Sequence, residues 1–398
     1  MLRPSIVRPR LIGALSLAAA LAGTLATVAA CHLPGRSGAG GDVAIGVAFN
    51  PKRQGMDEIV RGATLAAETL SRDAAARAGG VRFVVRQAPQ RLTSAVEVAQ
   101  ALRDDPSVVG IVGDAESGRT LDALPIVEDV EHGGARAIVA VSPTATSPAL
   151  SGRSPWIFRV TPSDVAVSRA TAAYLADSLG ARRAAVVYRN DSYGRDWTAA
   201  FLGAFRARGG TVVQRDPYVA GVTEWEALAA YTHRTGADAI LFPGSAEDAA
   251  DFLRALRAEG VTVPFVGGDA VATLATRPEF AGARYATPYA ADRAPHTPTS
   301  AAFIAAYRAR WHDAPTARAA LAYDAALVIG QAALAVGRDR QQVRSWIATL
   351  GTAHPPLAGA TGTLAFDPAH DARDRSVTIA TVAGAATAAA ATTAEAGR

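Results

Sequence analysis

Val43-Ala44-Ile45-Gly46-Val47-Ala48-Phe49, closed by Asn50-Pro51, opens the pattern that decides the fold. A short apolar run that stops at an Asn-Pro pair predicts a strand feeding a turn. Met56 to Ala78 then carries a helical pattern and ends at Gly79-Gly80, where glycine readily stops a helix. Val81 to Val85 predicts the next strand. Strand, helix and strand in immediate succession make a βαβ unit, whose strands lie parallel.

The same alternation continues along the chain. From Arg91 to Arg103, Leu92, Ala95, Val96, Ala99 and Leu102 share one face of a predicted helix. Val108 to Val112 and Ala137 to Val141 have the apolar runs of buried strands, and Leu121 to Glu131 between them reads as a helix. The pattern restarts after Pro162, with a helix over Asp164 to Leu179 and a strand over Ala184 to Tyr188. Gly194 to Arg208 places Trp197, Phe201, Ala204 and Phe205 at helical spacing, which predicts a core face rather than a ligand platform. Thr211 to Gln214, Glu224 to Arg234 and Ala239 to Phe242 continue as strand, helix and strand, and Ala249, Phe252, Leu253 and Leu256 mark another helix face. Past a Pro-rich crossing from Thr287 to Pro298, Thr299 to Trp311 and Ala317 to Val336 are long helices. Two successive runs of this kind predict an α/β protein with two doubly wound, parallel-sheet lobes.

The N-terminus carries a different signal. Arg3, Arg8 and Arg10 precede an apolar stretch from Leu11 to Leu25, the layout of a secretory leader over residues 1–30. Val28-Ala29-Ala30-Cys31 ends it, and this branched/small/small/Cys sequence resembles the lipobox of bacterial lipoproteins. In that resemblance Cys31 is the lipidated first residue of the mature chain. An uncleaved membrane helix is the rival, since about 20 apolar residues span a bilayer. Cys31 favours the lipoprotein, being the single cysteine in the chain and lying where the lipobox needs it. Residues 31–41, rich in Gly, read as a flexible tether, and the Ala/Thr-rich stretch 383–398 as a disordered tail.

One cysteine in 398 residues excludes an intramolecular disulfide and any CxxC metal or redox site. Of the formal charge of +4, three positive charges are the leader arginines, and the other arginines are mixed with Asp and Glu, so no nucleic-acid surface is indicated.

Several segments carry a family resemblance. Gly62-Ala63-Thr64-Leu65-Ala66 and Gly79-Gly80-Val81 lie in the first βαβ unit, and Val109-Gly110-Ile111-Val112-Gly113 ends a strand. The most specific piece is Val141-Ser142-Pro143-Thr144-Ala145-Thr146-Ser147-Pro148-Ala149-Leu150, followed by Trp156 to Pro162, Asn190 to Gly194 and Gly362 to Asp367. Their order and spacing from about Asp42 to Val382 resemble the Leu/Ile/Val-binding family of type I periplasmic binding proteins. The resemblance implies two lobes joined by three crossings, near Phe158 to Pro162, Tyr285 to Tyr289 and Gly362 to Phe366. It sets residues 42–160 and 287–363 as lobe 1 and residues 161–286 and 364–382 as lobe 2.

It also implies a site between the lobes. Ser117 and Thr146 would donate hydroxyls to a ligand carboxylate, Thr144 would add backbone groups, Asp269 would bind an ammonium, and Tyr193 would close over the ligand. The plainer alternatives stand beside these: Ser117 and Thr146 as helix caps, Asp269 as a turn residue. The segment from Phe49 to Asp57 departs from the family by carrying Lys52 and Arg53, and Glu116 stands where small residues are common; both put a leucine-type ligand in doubt.

No catalytic motif is present: no Gly-x-Ser-x-Gly, P-loop or His-Glu-x-x-His. His132, His233 and His312 read as surface groups, and Asp104-Asp105 as complements to a helix dipole. The expected function is an exported, lipid-anchored solute-binding protein of an ABC importer, with an amino acid or similar polar solute as ligand, a permease as partner and no cofactor. The alternative is an envelope lipoprotein that uses this fold to contact a cell-wall synthase or a sensor.

Overall fold

The computed structural model describes residues 41–50, 52, 55–76, 80–292 and 297–384. The leader, Cys31, nearly all of the tether, Arg53 and the tail from residue 385 lie outside the described residues.

β1 (Val43–Val47) is buried along its whole length, as a central strand covered on both faces must be. α1 (Asp57–Ala76) returns the chain to β2 (Phe83–Gln87), and α2 (Ala95–Asp104) leads to β3 (Val108–Val112). α3 (Ser117–Val127) precedes β4 (Ala140–Ser142), which is followed by β5 (Ile157–Arg159). These strands form one parallel sheet of order β2-β1-β3-β4-β5.

The chain then builds a second sheet. α4 (Asp164–Ala173), β6 (Arg183–Arg189), α5 (Ser192–Arg206), β7 (Thr211–Tyr218), α6 (Trp225–Arg234), β8 (Ala239–Phe242), α7 (Ala246–Ala258), β9 (Phe265–Gly267) and β10 (Arg284–Thr287) follow in order. Trp197, Phe201 and Phe205 on α5 are fully buried against this sheet. α8 (Pro298–Trp311), α9 (Ala317–Val336) and α10 (Arg340–Ala348) go back to cover the first sheet, and a hairpin of β11 (Leu357–Gly359) and β12 (Gly362–Leu364) packs with them. Finally β13 (Thr378–Thr381) joins the edge of the second sheet, whose order is β13-β10-β9-β8-β6-β7. β13 is antiparallel to β10, and the other pairs in that sheet are parallel. The chain therefore passes between the sheets three times, after β5, after β10 and after β12.

α9 is largely apolar, and by length and composition it is sufficient to cross a membrane. Here it is the core helix of the first lobe, buried from Ala319 through Gly330. α1 lies so close to it that a Cβ on Gly62 would run into the Ala319 carbonyl. Asp324, fully buried within α9, accepts from the Ala360 N–H at 2.6 Å and the Thr361 N–H at 3.0 Å, which fastens the β11–β12 turn to the core.

Several boundaries differ from the sequence expectation. α2 starts at Ala95 rather than Arg91 because Leu92 N–H closes a turn on the Pro89 carbonyl. α3 starts at Ser117, before the expected Leu121, and stops at Val127, ahead of Asp129, whose φ is 52°. The helix expected to run to Leu179 passes into a π turn at Tyr174–Ser178. Asp104 and Asp105 do not complement a dipole. They end α2, at its negative pole, and are held instead by Arg103 and by Arg86 and Ser107.

Candidate ligand-binding site

In a parallel α/β sheet the loops that follow the strands gather along one edge, and that edge is where ligands are met. On the first lobe the loops after β3 and β4 are stitched together. The Asp114 carboxylate is buried, accepts from the Ala115 N–H at 2.6 Å and pairs with Arg119 Nε at 2.8 Å. Burial pushes its pKa up to about 6, against the pull of Arg119. Ser142 Oγ donates to the Asp114 carbonyl at 2.6 Å, and Thr144 Oγ1 to the Ala115 carbonyl at 2.7 Å. The Thr144 hydroxyl is thereby committed to the scaffold. Ser117, at the first turn of α3, accepts from the Ser147 N–H at 3.1 Å. A hydroxyl that accepts one hydrogen bond keeps its own proton to donate.

The second lobe supplies the opposite wall. Asp191 caps α5 by accepting from the Gly194 N–H at 2.9 Å, which fixes Tyr193 in the first helical turn. Tyr193 then donates its hydroxyl to Asp269 Oδ1 at 2.9 Å. Asp269 follows Gly268 at the end of β9 and opens a short 3₁₀ stretch. Burial raises the pKa of Asp269, while the Tyr193 hydroxyl opposes the rise. The Tyr193 pKa is pushed well above the usual phenol range by burial and then by the charges of Asp269 and Asp164.

Between these walls lies a cavity of about 650 Å³. Ser117, Thr144, Tyr193 and Asp269 all line it. Thr146 is not among the lining residues. It is buried behind the wall with its hydroxyl turned to Asp164, and its carbonyl accepts from the Asp164 N–H at 2.8 Å. Asp164 is fully buried, and neither of its oxygens nor Thr146 Oγ1 makes a hydrogen bond of ordinary geometry among the described residues. Burial, and then the neighbouring charge of Asp269, raise its pKa well above the carboxylate range.

Sequence reading missed Asp164, which stands in Pro162-Ser163-Asp164 like any residue of a first helical turn. It named Lys52 at the β1 end of the cavity but missed Glu58 and Arg318 there. Glu58 in α1 and Arg318 in α9 face each other there at 3.6 Å, and Thr316 Oγ1 donates to Glu58 at 2.7 Å. Lys52 lines the same end. The only sequence signal for Arg318 was a charge in the first turn of a largely apolar helix.

Two sheets joined by three crossings, with a polar cleft along their strand ends, define a two-lobed binding protein. The chain belongs to the periplasmic binding protein family, which it matches over residues 53–388. It is 25% identical over 236 residues to the amino acid binding protein of Pseudomonas aeruginosa, covering 58% of this chain and 62% of that one. It is likewise 25% identical over 231 residues to the Leu/Ile/Val-binding protein of Escherichia coli K12, covering 58% of this chain and 61% of that one. The matches thus span about three fifths of the length of these curated relatives. The fold superposes with a TM-score of 0.75 on the branched-chain amino acid transporter substrate binding protein LivJ of Streptococcus pneumoniae, solved in complex with isoleucine, at 23% identity and covering 86% of this chain and 97% of that one. Family and neighbours are solute-binding proteins, not enzymes.

Proposed function

We propose that this protein is the exported solute-binding component of an ABC importer, anchored to the cell envelope by a lipid on Cys31, and that it closes on an amino acid. In this reading residues 42–160 and 287–363 form the first lobe, residues 161–286 and 364–382 the second, and the closed form is what a permease receives.

One observation carries it. A hydroxyl and a helix N-terminus on one wall, at Ser117 and α3, stand across the cavity from a half-buried carboxylate on the other, Asp269, held by Tyr193. Helix N-termini present N–H groups and the positive end of a dipole, which suit a carboxylate. Asp269, held by the Tyr193 hydroxyl, suits an ammonium. An α-amino acid carries both groups on its α-carbon and so bridges the walls. Thr144 contributes backbone groups to the carboxylate side, and Thr146 acts through the packing of Asp164.

The test is calorimetry of the full chain against amino acids and the matched acids lacking the amino group. Asp269→Ala is expected to weaken amino-acid binding by about a hundredfold or more, the cost of removing one partner of a buried charged pair. Equal affinity for acids with and without the amino group, or normal binding by Asp269→Ala, rejects this reading. Capture of another envelope protein with an empty cleft would favour the contact role instead.

A further inference from the structure

The β1 end of the cavity differs in chemistry from the rest of it. Along the sheet edge the loops run β1, β3, β4, so this end lies beyond Ser117 and two strand spacings, or about 10 Å, from Thr144. It is formed by Lys52 and Met56 from the connection before α1, Glu58 from its first turn, and Arg318 and Leu321 from the start of α9. Two cations and one carboxylate stand here. A site meant only for an aliphatic side chain would gain nothing from them, because each charge loses hydration when the cleft closes.

Arg318 is held and only partly used. Its Nη1 donates to the Gly55 carbonyl at 3.2 Å and faces Glu58, whose Oε2 already accepts from Thr316. A guanidinium has five N–H donors. Among the described residues, Nε and Nη2 of Arg318 have no partner, and the side chain is 19% exposed. Lys52 likewise makes no side-chain bond among the described residues, its recorded bond being from the backbone N–H to Asn50. The charge of Arg318 reaches across to Asp269 on the other lobe. Thr273 of that lobe lies 3.9 Å from where a Cβ on Gly55 would stand, so this end is covered from both sides.

We propose that Arg318, positioned by Glu58 and assisted by Lys52, is the specificity determinant of the cleft, and that it selects an amino acid carrying a second anionic group on its side chain. The proposal rests on the amino-acid reading above and names its ligand class. The α-carboxylate lies at Ser117, the ammonium at Asp269, and the side-chain anion at the unused donors of Arg318. Glu58 serves as a positioning residue: with Thr316 and the Gly55 carbonyl it fixes the guanidinium, whose planar fork suits a carboxylate at two points.

The experiment is calorimetry of the full chain in detergent with L-glutamate, L-aspartate and norvaline, whose side chain keeps the carbon skeleton of glutamate's without the carboxylate oxygens or the charge. The wild type is expected to prefer an acidic amino acid over norvaline by about tenfold to a hundredfold, the range of a hydrogen bond to a charged group. Arg318→Met is expected to erase that preference and Arg318→Lys to keep part of it. Raised salt is expected to weaken glutamate binding more than norvaline binding. Norvaline binding as well as or better than both acidic amino acids overturns this proposal and leaves the amino-acid reading standing. Binding of neither kind overturns both. A preference unchanged in Arg318→Met overturns the role of Arg318.

Discussion

Arg159 and Asp371, 212 residues apart, are joined at two points, Nε to Oδ1 at 2.6 Å and Nη2 to Oδ2 at 2.7 Å. Arg159 ends β5, where the chain first leaves the first sheet, and Asp371 lies on the last crossing. The guanidinium also donates to the Ser147 carbonyl at 2.7 Å and the Ser151 hydroxyl at 2.6 Å. One buried cation therefore ties two crossings to the loop that carries Thr144. Asp371→Ala would leave that charge buried and unpaired, which typically costs about 3–5 kcal/mol. Because Asp371 itself is 22% exposed, the lower end of the range is expected. Urea unfolding measures it; a loss below about 1 kcal/mol would mean the pair does not hold the crossings.

The contact between α1 and α9 makes a second prediction. Gly62 faces the Ala319 carbonyl with no room for a Cβ, so Gly62→Ala must push the two helices apart. Overpacking of this kind costs about 1–3 kcal/mol. Gly203 is the control: it lies inside α5 with nothing within 4 Å of an added Cβ. There, alanine should stabilise by about 0.5–1 kcal/mol, because glycine loses more freedom on folding. Equal effects at the two positions in thermal unfolding would contradict the close approach.

What the sequence revealed and what it hid follow from the range of the interactions. Val43–Val47 and Val108–Val112 read as buried strands because every residue in them is apolar, a local property. α3 began earlier than its apolar spacing suggested, because Ser117 and Thr120 are buried by the polar stitching of the β3 and β4 loops rather than by hydrophobic packing. Asp164 was missed for a related reason. Nothing near it in the chain distinguishes it from an exposed residue of a first helical turn. Its isolation comes from Thr146, Asp196 and Asp269, brought together by three different stretches. Asp371 and Arg318 are in the same position, each defined by partners more than 200 residues away.

Cys31 lies outside the described residues, so its role rests on the resemblance of Val28 to Cys31 to a lipobox. The full chain should partition into the detergent phase, and Cys31→Ser should yield a protein without lipid. If the serine variant partitions like the wild type and keeps an intact N-terminus, residues 11–25 act as a membrane helix instead. A shift in mass matching an acylated cysteine in the wild type alone supports the anchor.

Asp269 predicts a pH dependence in which stability and affinity move in opposite directions. Burial raises its pKa in the folded, empty protein above the ordinary value of 3.8. The folded state then holds the proton more tightly than the unfolded chain does. Its contribution to stability is fully present below the unfolded value and is lost as pH rises through the folded one. The ligand reverses the demand. An α-ammonium stays protonated across the acidic range, and it needs Asp269 ionised. Binding on the acidic side must therefore expel a proton, and affinity should fall as pH drops through the raised pKa, at a higher pH than for an ordinary aspartate. Calorimetry from about pH 7 to about pH 4 in buffers of different ionisation enthalpy would read both the weakening and the proton released. Asp269→Asn should bind weakly at every pH and release no proton. An affinity for amino acids that stays flat over that range, with Asp269 intact, would remove the carboxylate from the ammonium site.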